Sequence, residues 1–425
     1  MRLIVFEDDG VVQLGPLAQT RPVFELRCGA LALIDRQQRC FEADELAAFV
    51  RPEMANLARF LRPSLIVNEM SSLAAEDIIL VNARWLAPIV PPVDGSCPCV
   101  GLVGDQIAFV VPGVRLSEEE LAELAWKRNG FSEDLPIVAA GGAMMDWPWD
   151  LVEHNSRALI DDGHHWQTHR ATADWKGLTI LGPSEQVLID PTASIEPMTL
   201  IDARKGPVLL DRGVIVQAFS RLEGPCYIGP ETHVLAGRIK GSSIGPACRI
   251  GGEVEASIVQ GYSNKAHEGF LGHSYLGEWV NFGAGTQTSD LRNDYGKVDV
   301  TIAGHRVETG LLKVGAFIGD HTKTSINTLF NTGSVAGPFS MFVTSGSLLP
   351  RNLPAFCQVS HGRVTARTDM AAMFATATTM MARRGVSWTE AHADFYLDLY
   401  ERTQNERFDL VQNNEQRRRK LSSSS

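Results

Sequence analysis

The chain has 425 residues, 44% of them hydrophobic, and a formal net charge of −11, which suits a protein of two to three domains and argues against nucleic acid as the main partner. No apolar run approaches the roughly 18 residues that a membrane helix needs, and the N-terminus opens on a strand-like Leu3-Ile4-Val5-Phe6, so the expectation is a cytoplasmic protein with no membrane partner. Seven scattered cysteines, an odd number, give no disulfide framework, and Cys97 and Cys99 lack a second pair at zinc spacing.

Residues 1–145 alternate strand-like runs (Leu3 to Phe6, Leu65 to Asn68, Ile78 to Asn82, Ile107 to Val111) with helix-like ones (Asp44 to Phe60, broken near Pro52, and Ser117 to Lys127). This alternation reads as an α/β domain. Residues 146–185 read as a helical connector, with a helix from Leu151 to Ile160 and with Trp147 and Trp149 as packing anchors. Residues 186–350 carry a repeat, and residues 351–425 read as a helical tail, through Asp369 to Arg384 and Trp388 to Asn405. The basic run Arg417-Arg418-Arg419-Lys420 reads as the solvated end of that tail.

The repeat has a period of six: Ile189, Ile195 and Ile201; Val208 and Val214; Ile228 and Val234; Ile244 and Ile250; Leu276 and Phe282; Ile318, Thr324, Phe330, Ala336 and Phe342. A strand has period two and a helix 3.6, so a period of six, with glycine often directly after the apolar residue, fits short parallel strands joined by tight corners in a solenoid. The period breaks across Gln287 to Lys313, a polar segment that reads as a loop thrown out from the solenoid and suited to binding.

The segment 251–285, with Glu253-Val254-Glu255, Lys265-Ala266-His267 and Asn281-Phe282-Gly283-Ala284-Gly285-Thr286, resembles the acetyltransferase half of the bifunctional N-acetylglucosamine-1-phosphate uridylyltransferase/glucosamine-1-phosphate acetyltransferases. It looks closest to an alternative bacterial branch of sugar nucleotidyltransferases. Thr20-Arg21-Pro22, Leu26-Arg27-Cys28-Gly29, Pro148-Trp149-Asp150-Leu151, Gly319-Asp320-His321-Thr322-Lys323-Thr324 and Phe330-Asn331-Thr332-Gly333 extend the resemblance. The resemblance implies a mixed fold: an N-terminal α/β nucleotidyltransferase-like domain, a C-terminal left-handed parallel β-helix of hexapeptide repeats, and a helical tail. It also implies a homotrimer with sites between neighbouring subunits.

Acetylating an amine with a thioester needs a base whose pKa lies near neutrality, and histidine is the natural one. His267 stands where the resembling family has its catalytic base. By the same resemblance Arg238, Lys265, Asn281 and Lys297 fall to the sugar phosphate, and Asn293, Tyr295 and Asp320 to acetyl-CoA. A guanidinium fork such as that of Arg238 suits a phosphate. Two positions depart from the pattern: Ala256 stands where the family has a phosphate-binding lysine, and Phe270 where it has a tyrosine. His321 reads as a corner residue of the solenoid.

In the N-terminal domain a Gly-rich phosphate loop is missing, since Val12-Gln13-Leu14-Gly15-Pro16-Leu17 has one glycine, and Pro22 is followed by valine rather than lysine. Arg21, Arg27, Asn82 and Arg84 are the candidates for the nucleotide, and Asp105 for Mg2+, some of them at strand ends where open α/β sheets bind ligands. Three readings stay open: a bifunctional enzyme using acetyl-CoA, a sugar phosphate and a nucleoside triphosphate such as UTP to make UDP-N-acetylglucosamine; a nucleotidyltransferase, of glucose-1-phosphate thymidylyltransferase type, whose β-helix only trimerises or regulates; and a non-catalytic binding or assembly protein.

Overall fold

The computed structural model describes residues 1–74, 77–93, 95, 97–113, 135–166, 177–343 and 349–423. Leu3-Ile4-Val5-Phe6 is apolar at every position and therefore suits a strand covered on both sides. It forms the middle of a seven-stranded mixed sheet. The strands are β1 (Arg2–Phe6), β2 (Glu45–Phe49), β3 (Ile66–Val67), β4 (Ile78–Asn82), β5 (Cys99–Val103), β6 (Gln106–Val111) and β7 (Ile137–Ala139), in the order β7-β5-β6-β4-β1-β2-β3. β1 pairs in parallel with both β2 and β4, so the chain reverses its direction of travel across the sheet between β1 and β4.

The expected helix from Asp44 to Phe60 is corrected. Glu45–Phe49 is a strand, because Ala47 and Ala48 are fully buried beside β1. Only Ala55–Leu61 (α2) is helical after Pro52, and α1 (Leu33–Phe41) precedes both. The run from Ser117 to Lys127 lies outside the described residues.

Helix α3 (Pro148–His165) starts with proline at its first position, where the missing N–H costs nothing. Asp150 caps it by accepting from the N–H groups of Asp146 and Trp147. The helix packs into the N-terminal unit: Asp162 accepts from the Ala30 N–H and pairs with buried Arg36. Trp147 stacks on Trp149 at 5.1 Å, and Trp149 meets Phe317 of the repeat region, so the two tryptophans are packing anchors.

From residue 179 the chain winds as a coil of parallel strands with three faces. The first face is a ladder of nine parallel strands running from Val187–Ile189 through Ile258–Gly261 and Tyr275–Glu278 to Asn352–Leu353. The second face holds Ile215–Val216, Arg249 and Ile250, Asn264–Lys265, then Asn281 and Lys323–Thr324. The third holds Leu200–Asp202, Ser220–Glu223, the ends of His233–Lys240 and Arg249–Glu255, and Phe270–Gly272. This arrangement fits a β-helix. The apolar positions of the six-residue period fill its interior: Ile201, Val214, Val234, Ile244, Ile250 and Ile318 are fully buried, and Phe282, Phe330 and Phe342 nearly so. Ile195 alone among them is half-buried.

The corner between first and second faces is built from left-handed residues that are not glycine: Glu231, Ala247, Tyr262, Trp279, His321, Phe339 and Phe356, with φ between 51° and 59°. That conformation is disfavoured for side chains with a Cβ. Here it is repeated because the corner N–H groups donate to carbonyls one coil earlier, as from Tyr262 to Pro246, His321 to Glu278 and Phe339 to Asp320. The same register stacks the side chains: Tyr262 on Trp279 at 4.4 Å, Trp279 on His321 at 6.2 Å, His321 on Phe339 at 4.5 Å and Phe339 on Phe356 at 5.4 Å. His321 is a rung of this ladder, and its burial holds its pKa well below the ordinary value.

The break in the period is a folded insertion containing an antiparallel hairpin, Asp299–Ile302 with His305–Glu308. Three helices, α4 (Met370–Ala382), α5 (Glu390–Arg402) and α6 (Gln404–Ser423), then return over the coil. Trp388 and Tyr396 meet the His321 ring edge-on, so the tail covers the aromatic corner of its own chain. The third face stays open, with Phe219 at its edge 73% and Leu329 61% exposed.

Ile250→Ala is expected to cost about 2–5 kcal/mol, the range for truncating a fully buried aliphatic side chain. Ile195→Ala is expected to cost about 1 kcal/mol. Urea unfolding with an unchanged slope measures both; equal costs would contradict the burial difference between the two positions.

Candidate active-site groove

Asn264–Lys265 is the last regular strand of the second face before the coil turns through 266–269 into Phe270–Gly272 on the third. His267 stands exposed on that turn. One coil later Asn281 bridges Asn264 on one side and Lys323 on the other. The register therefore brings His267 and Asn281 to one groove of about 520 Å³, walled by Arg249 and Ala284 and closed over by Arg383 and Arg384 at the end of α4. It continues into a cavity of about 530 Å³ lined by Asn264, Asn281, Lys323, Thr376, Arg383 and Arg384.

Arg384 donates to Asn264 Oδ1 at 2.9 Å, and Asn264 Nδ2 donates to Asn281 Oδ1 at 3.3 Å. This relay fixes the Asn281 amide with its NH2 as the free donor, since among the described residues that group finds no protein acceptor. The His267 ring likewise has no hydrogen-bond partner among the described residues. A groove with an accessible imidazole and an oriented amide can accept a proton from a bound amine and hold a carbonyl or hydroxyl oxygen.

Other residues expected at this site lie elsewhere. Lys265 is buried, its ammonium donating to the carbonyls of Gly251 and His267 at 2.8 and 2.9 Å, and burial pushes its pKa down to about 8. It shapes the turn that carries His267 instead of meeting a ligand. Arg238 sits on the third face between Glu223 and Glu253 at 2.8 and 2.9 Å, which neutralise the charge a phosphate would need. Asn293, Tyr295 and Lys297 are exposed on the insertion and do not reach the groove of their own chain.

Asp320 is 3% exposed and holds Arg21 at 2.6 Å, with Glu278 at 3.2 Å from the same guanidinium and Thr20 donating to the carboxylate. Burial opposes the charge on Arg21, and the two carboxylates outweigh it and keep the side chain protonated. Arg21 and Asp320, expected at a nucleotide and at acetyl-CoA, thus tie the N-terminal unit to the coil. Arg27 belongs to the same seam: its N–H meets Tyr275 Oη and Gln260 Oε1, and its guanidinium lies 5.3 Å over the Tyr227 ring.

Asn82 ends β4 and Arg84 lies just beyond it, at the carboxyl ends of β1 and β4, where the strand order reverses and an open α/β sheet takes its ligand. The place is filled from within. Arg84 is fully buried, forks onto Asp8 at 2.6 and 2.7 Å, and reaches Asp146 at 2.5 Å, while Asn82 donates to Asp8. Gly10 is required beside it, because a Cβ there would stand 2.6 Å from the Arg84 guanidinium carbon. Burial alone would raise the Asp8 pKa, but the hydrogen bonds and charge of Arg84 hold it below its ordinary value.

Asp105 lies on the exposed turn between β5 and β6. Among the described residues no three His, Cys, Asp or Glu side chains are grouped to hold a metal ion. Glu7 and Asp8, which follow β1, and Asp146 beside them are already occupied by the guanidinium groups of Arg51 and Arg84, so the residues present do not fit magnesium there.

The structure thus joins an α/β unit to a β-helix-like coil with an exposed histidine on one of its turns. Residues 3–171 match the sugar nucleotidyl transferase family. A bifunctional sugar-1-phosphate nucleotidylyltransferase/acetyltransferase of Sulfurisphaera tokodaii is 33% identical over 63% of this chain and 61% of its own. The bifunctional proteins GlmU of Methanocaldococcus jannaschii and Rippkaea orientalis are 30% and 27% identical over 48% and 53% of this chain and 44% and 45% of their own. The chain is similar to these proteins over part of its length and spans only about half the length of these relatives.

Sequence reasoning missed the α4 contribution, Arg383 and Arg384, and the roles of Arg249, Asn264 and Lys323. The signal available was two adjacent arginines at a helix end followed by Gly385, where cations gather to meet the last carbonyls.

Arg84→Ala leaves Asp8 and Asp146 without their cation and is expected to cost about 3–5 kcal/mol. Arg238→Ala, on the exposed ladder, is expected to cost under about 1 kcal/mol. Because Asp8 is held low, its contribution is present above about pH 4 and is lost as pH falls through its folded-state value. Denaturant titrations of both variants at pH 7 and of the wild type down to pH 3 check these outcomes.

Proposed function

We propose that the chain is a sugar-phosphate transferase of nucleotide-sugar biosynthesis, whose coil acetylates the amine of an amino-sugar 1-phosphate with acetyl-CoA. Glucosamine 1-phosphate is the first acceptor to try. The observation that carries this reading is the convergence of His267 and Asn281 on one groove. In the step, the neutral amine attacks the thioester carbonyl, a C–N bond forms, the C–S bond breaks, His267 takes the proton from nitrogen, and the thiolate leaves and is protonated. Asn281 orients the reacting groups through the NH2 that the Arg384-Asn264 relay leaves free.

The six-residue period, the corner geometry and the likeness to GlmU-type proteins support a left-handed β-helix that assembles as a cytoplasmic homotrimer. The open third face, with exposed Phe219 and Leu329, suits such an assembly. In it Asn293, Tyr295 and Lys297 of one chain would complete the groove of a neighbour. The N-terminal unit supplies the partner activity, nucleotidyl transfer from a nucleoside triphosphate, UTP in the simplest case, giving UDP-N-acetylglucosamine. The family match over residues 3–171 favours this activity, and no step of it is routed through a metal, because the Asp8-Arg84-Asp146 cluster leaves no fitting donor set. The same match favours a second reading, a nucleotidyltransferase whose coil only trimerises.

His267→Ala is expected to lower acetyl transfer to glucosamine 1-phosphate by about 10²–10⁴-fold with unfolding unchanged. Release of free thiol from acetyl-CoA measures it, and equal rates in wild type and variant would remove His267 from the chemistry. Pyrophosphate release from UTP, magnesium and a sugar 1-phosphate without any thiol release would favour the second reading.

A further inference from the structure

The groove holds more positive charge than the proposed chemistry at His267 uses. Lys323 is half-buried, and its ammonium has one partner, the Met380 sulfur at 3.1 Å, a weak acceptor. Arg383 has no side-chain partner among the described residues. Arg384 is satisfied only by neutral oxygens, those of Ala247 and Asn264. Among the described residues no carboxylate lines either part of the groove, in a chain whose net charge is −11.

The third face is built differently. Arg204, Arg221, Arg238 and Lys240 all pair with Asp or Glu at 2.6 to 2.8 Å, so the missing counter-charges set the groove apart from that face. A cation drawn partly out of water without an anion is unfavourable. Burial pushes the Lys323 pKa down to about 8, in keeping with that. An arriving anion reverses the imbalance, and two guanidinium groups beside an ammonium suit the several oxygens of a phosphate ester. The third face offers no equivalent, since Arg238 is held between two glutamates and Ala256 carries no charge.

We propose that Lys323, Arg383 and Arg384 form a phosphate-ester subsite in the groove under α4, with Lys323 one coil beyond Asn281 and the two arginines closing over both parts of the groove. The assignment of its occupant rests on the acetyl transfer proposed above. Two sources share the chemistry, the diphosphate of the acyl donor and the phosphate of the sugar acceptor.

The test titrates the full chain with inorganic pyrophosphate by calorimetry, wild type beside Lys323→Met and the exposed Arg383→Ala, with unfolding curves for each. The expected result is binding by the wild type that weakens roughly tenfold or more in each variant. Absent or unchanged binding overturns the subsite. Kinetics with paired substrates then separate the sources. A KM raised for acetyl-CoA but not for acetyl-pantetheine assigns the donor; a KM raised for glucosamine 1-phosphate but not for glucosamine assigns the acceptor. Pyrophosphate binding that depends on these residues in a protein with no acetyl transfer upholds the subsite and overturns the acetyltransferase reading. Transfer indifferent to both substitutions does the reverse.

Discussion

The parallel register of the coil is the constraint on which the rest depends. Each strand bonds to the residue one coil away, so a position on one turn fixes the surroundings of the same position on the next. Left-handed corner residues are tolerated because this register gives their N–H groups carbonyls to meet, and side chains at the corner stack into a ladder of rings. The register also sets Asn264, Asn281 and Lys323 in one file along the second face. An asparagine or lysine anywhere else on these turns would face the core or another side of the prism.

Given that register, the three faces divide the work. The first takes the N-terminal unit through a buried ion pair and a continuous apolar core that joins Trp149 to Phe317. The second takes α4 and keeps an open groove beneath it. The third carries paired charges with apolar residues at its rim. Net charge alone would suggest a surface hostile to anions, yet the charges are sorted: carboxylates neutralise arginines on the third face and are missing from the groove. Local sorting of this kind, and not the sum over the chain, decides which ligands a cleft attracts.

Much of the coil was legible in the sequence because its signal is repetitive and local. Interior side chains recur every six residues, and Ile244, Ile250 and Ile318 are found where that spacing puts them. His267 and Asn281 were legible as a motif. What was hidden depended on partners far away along the chain. Lys265 looks like a ligand until the inward turn buries it, and Arg21 looks like a phosphate binder until Asp320 is found beside it. The segment 45–49 has the composition of a helix, and only the buried slot beside β1 makes it a strand. The roof of the groove comes from α4, which nothing in the repeat announces.

The Arg21–Asp320 pair spans 299 residues. A ribosome adding about 5–20 residues per second takes roughly 15 to 60 s to cover that interval. Until Glu278 and then Asp320 are made, the nascent N-terminal unit presents a guanidinium, and the apolar surface around it, with neither of its carboxylates. The unit can form its sheet early but cannot close its seam. Its final docking is therefore ordered in time by the coil, whose late turns carry both carboxylates, and a chain that stops before residue 278 leaves that arginine without either of them.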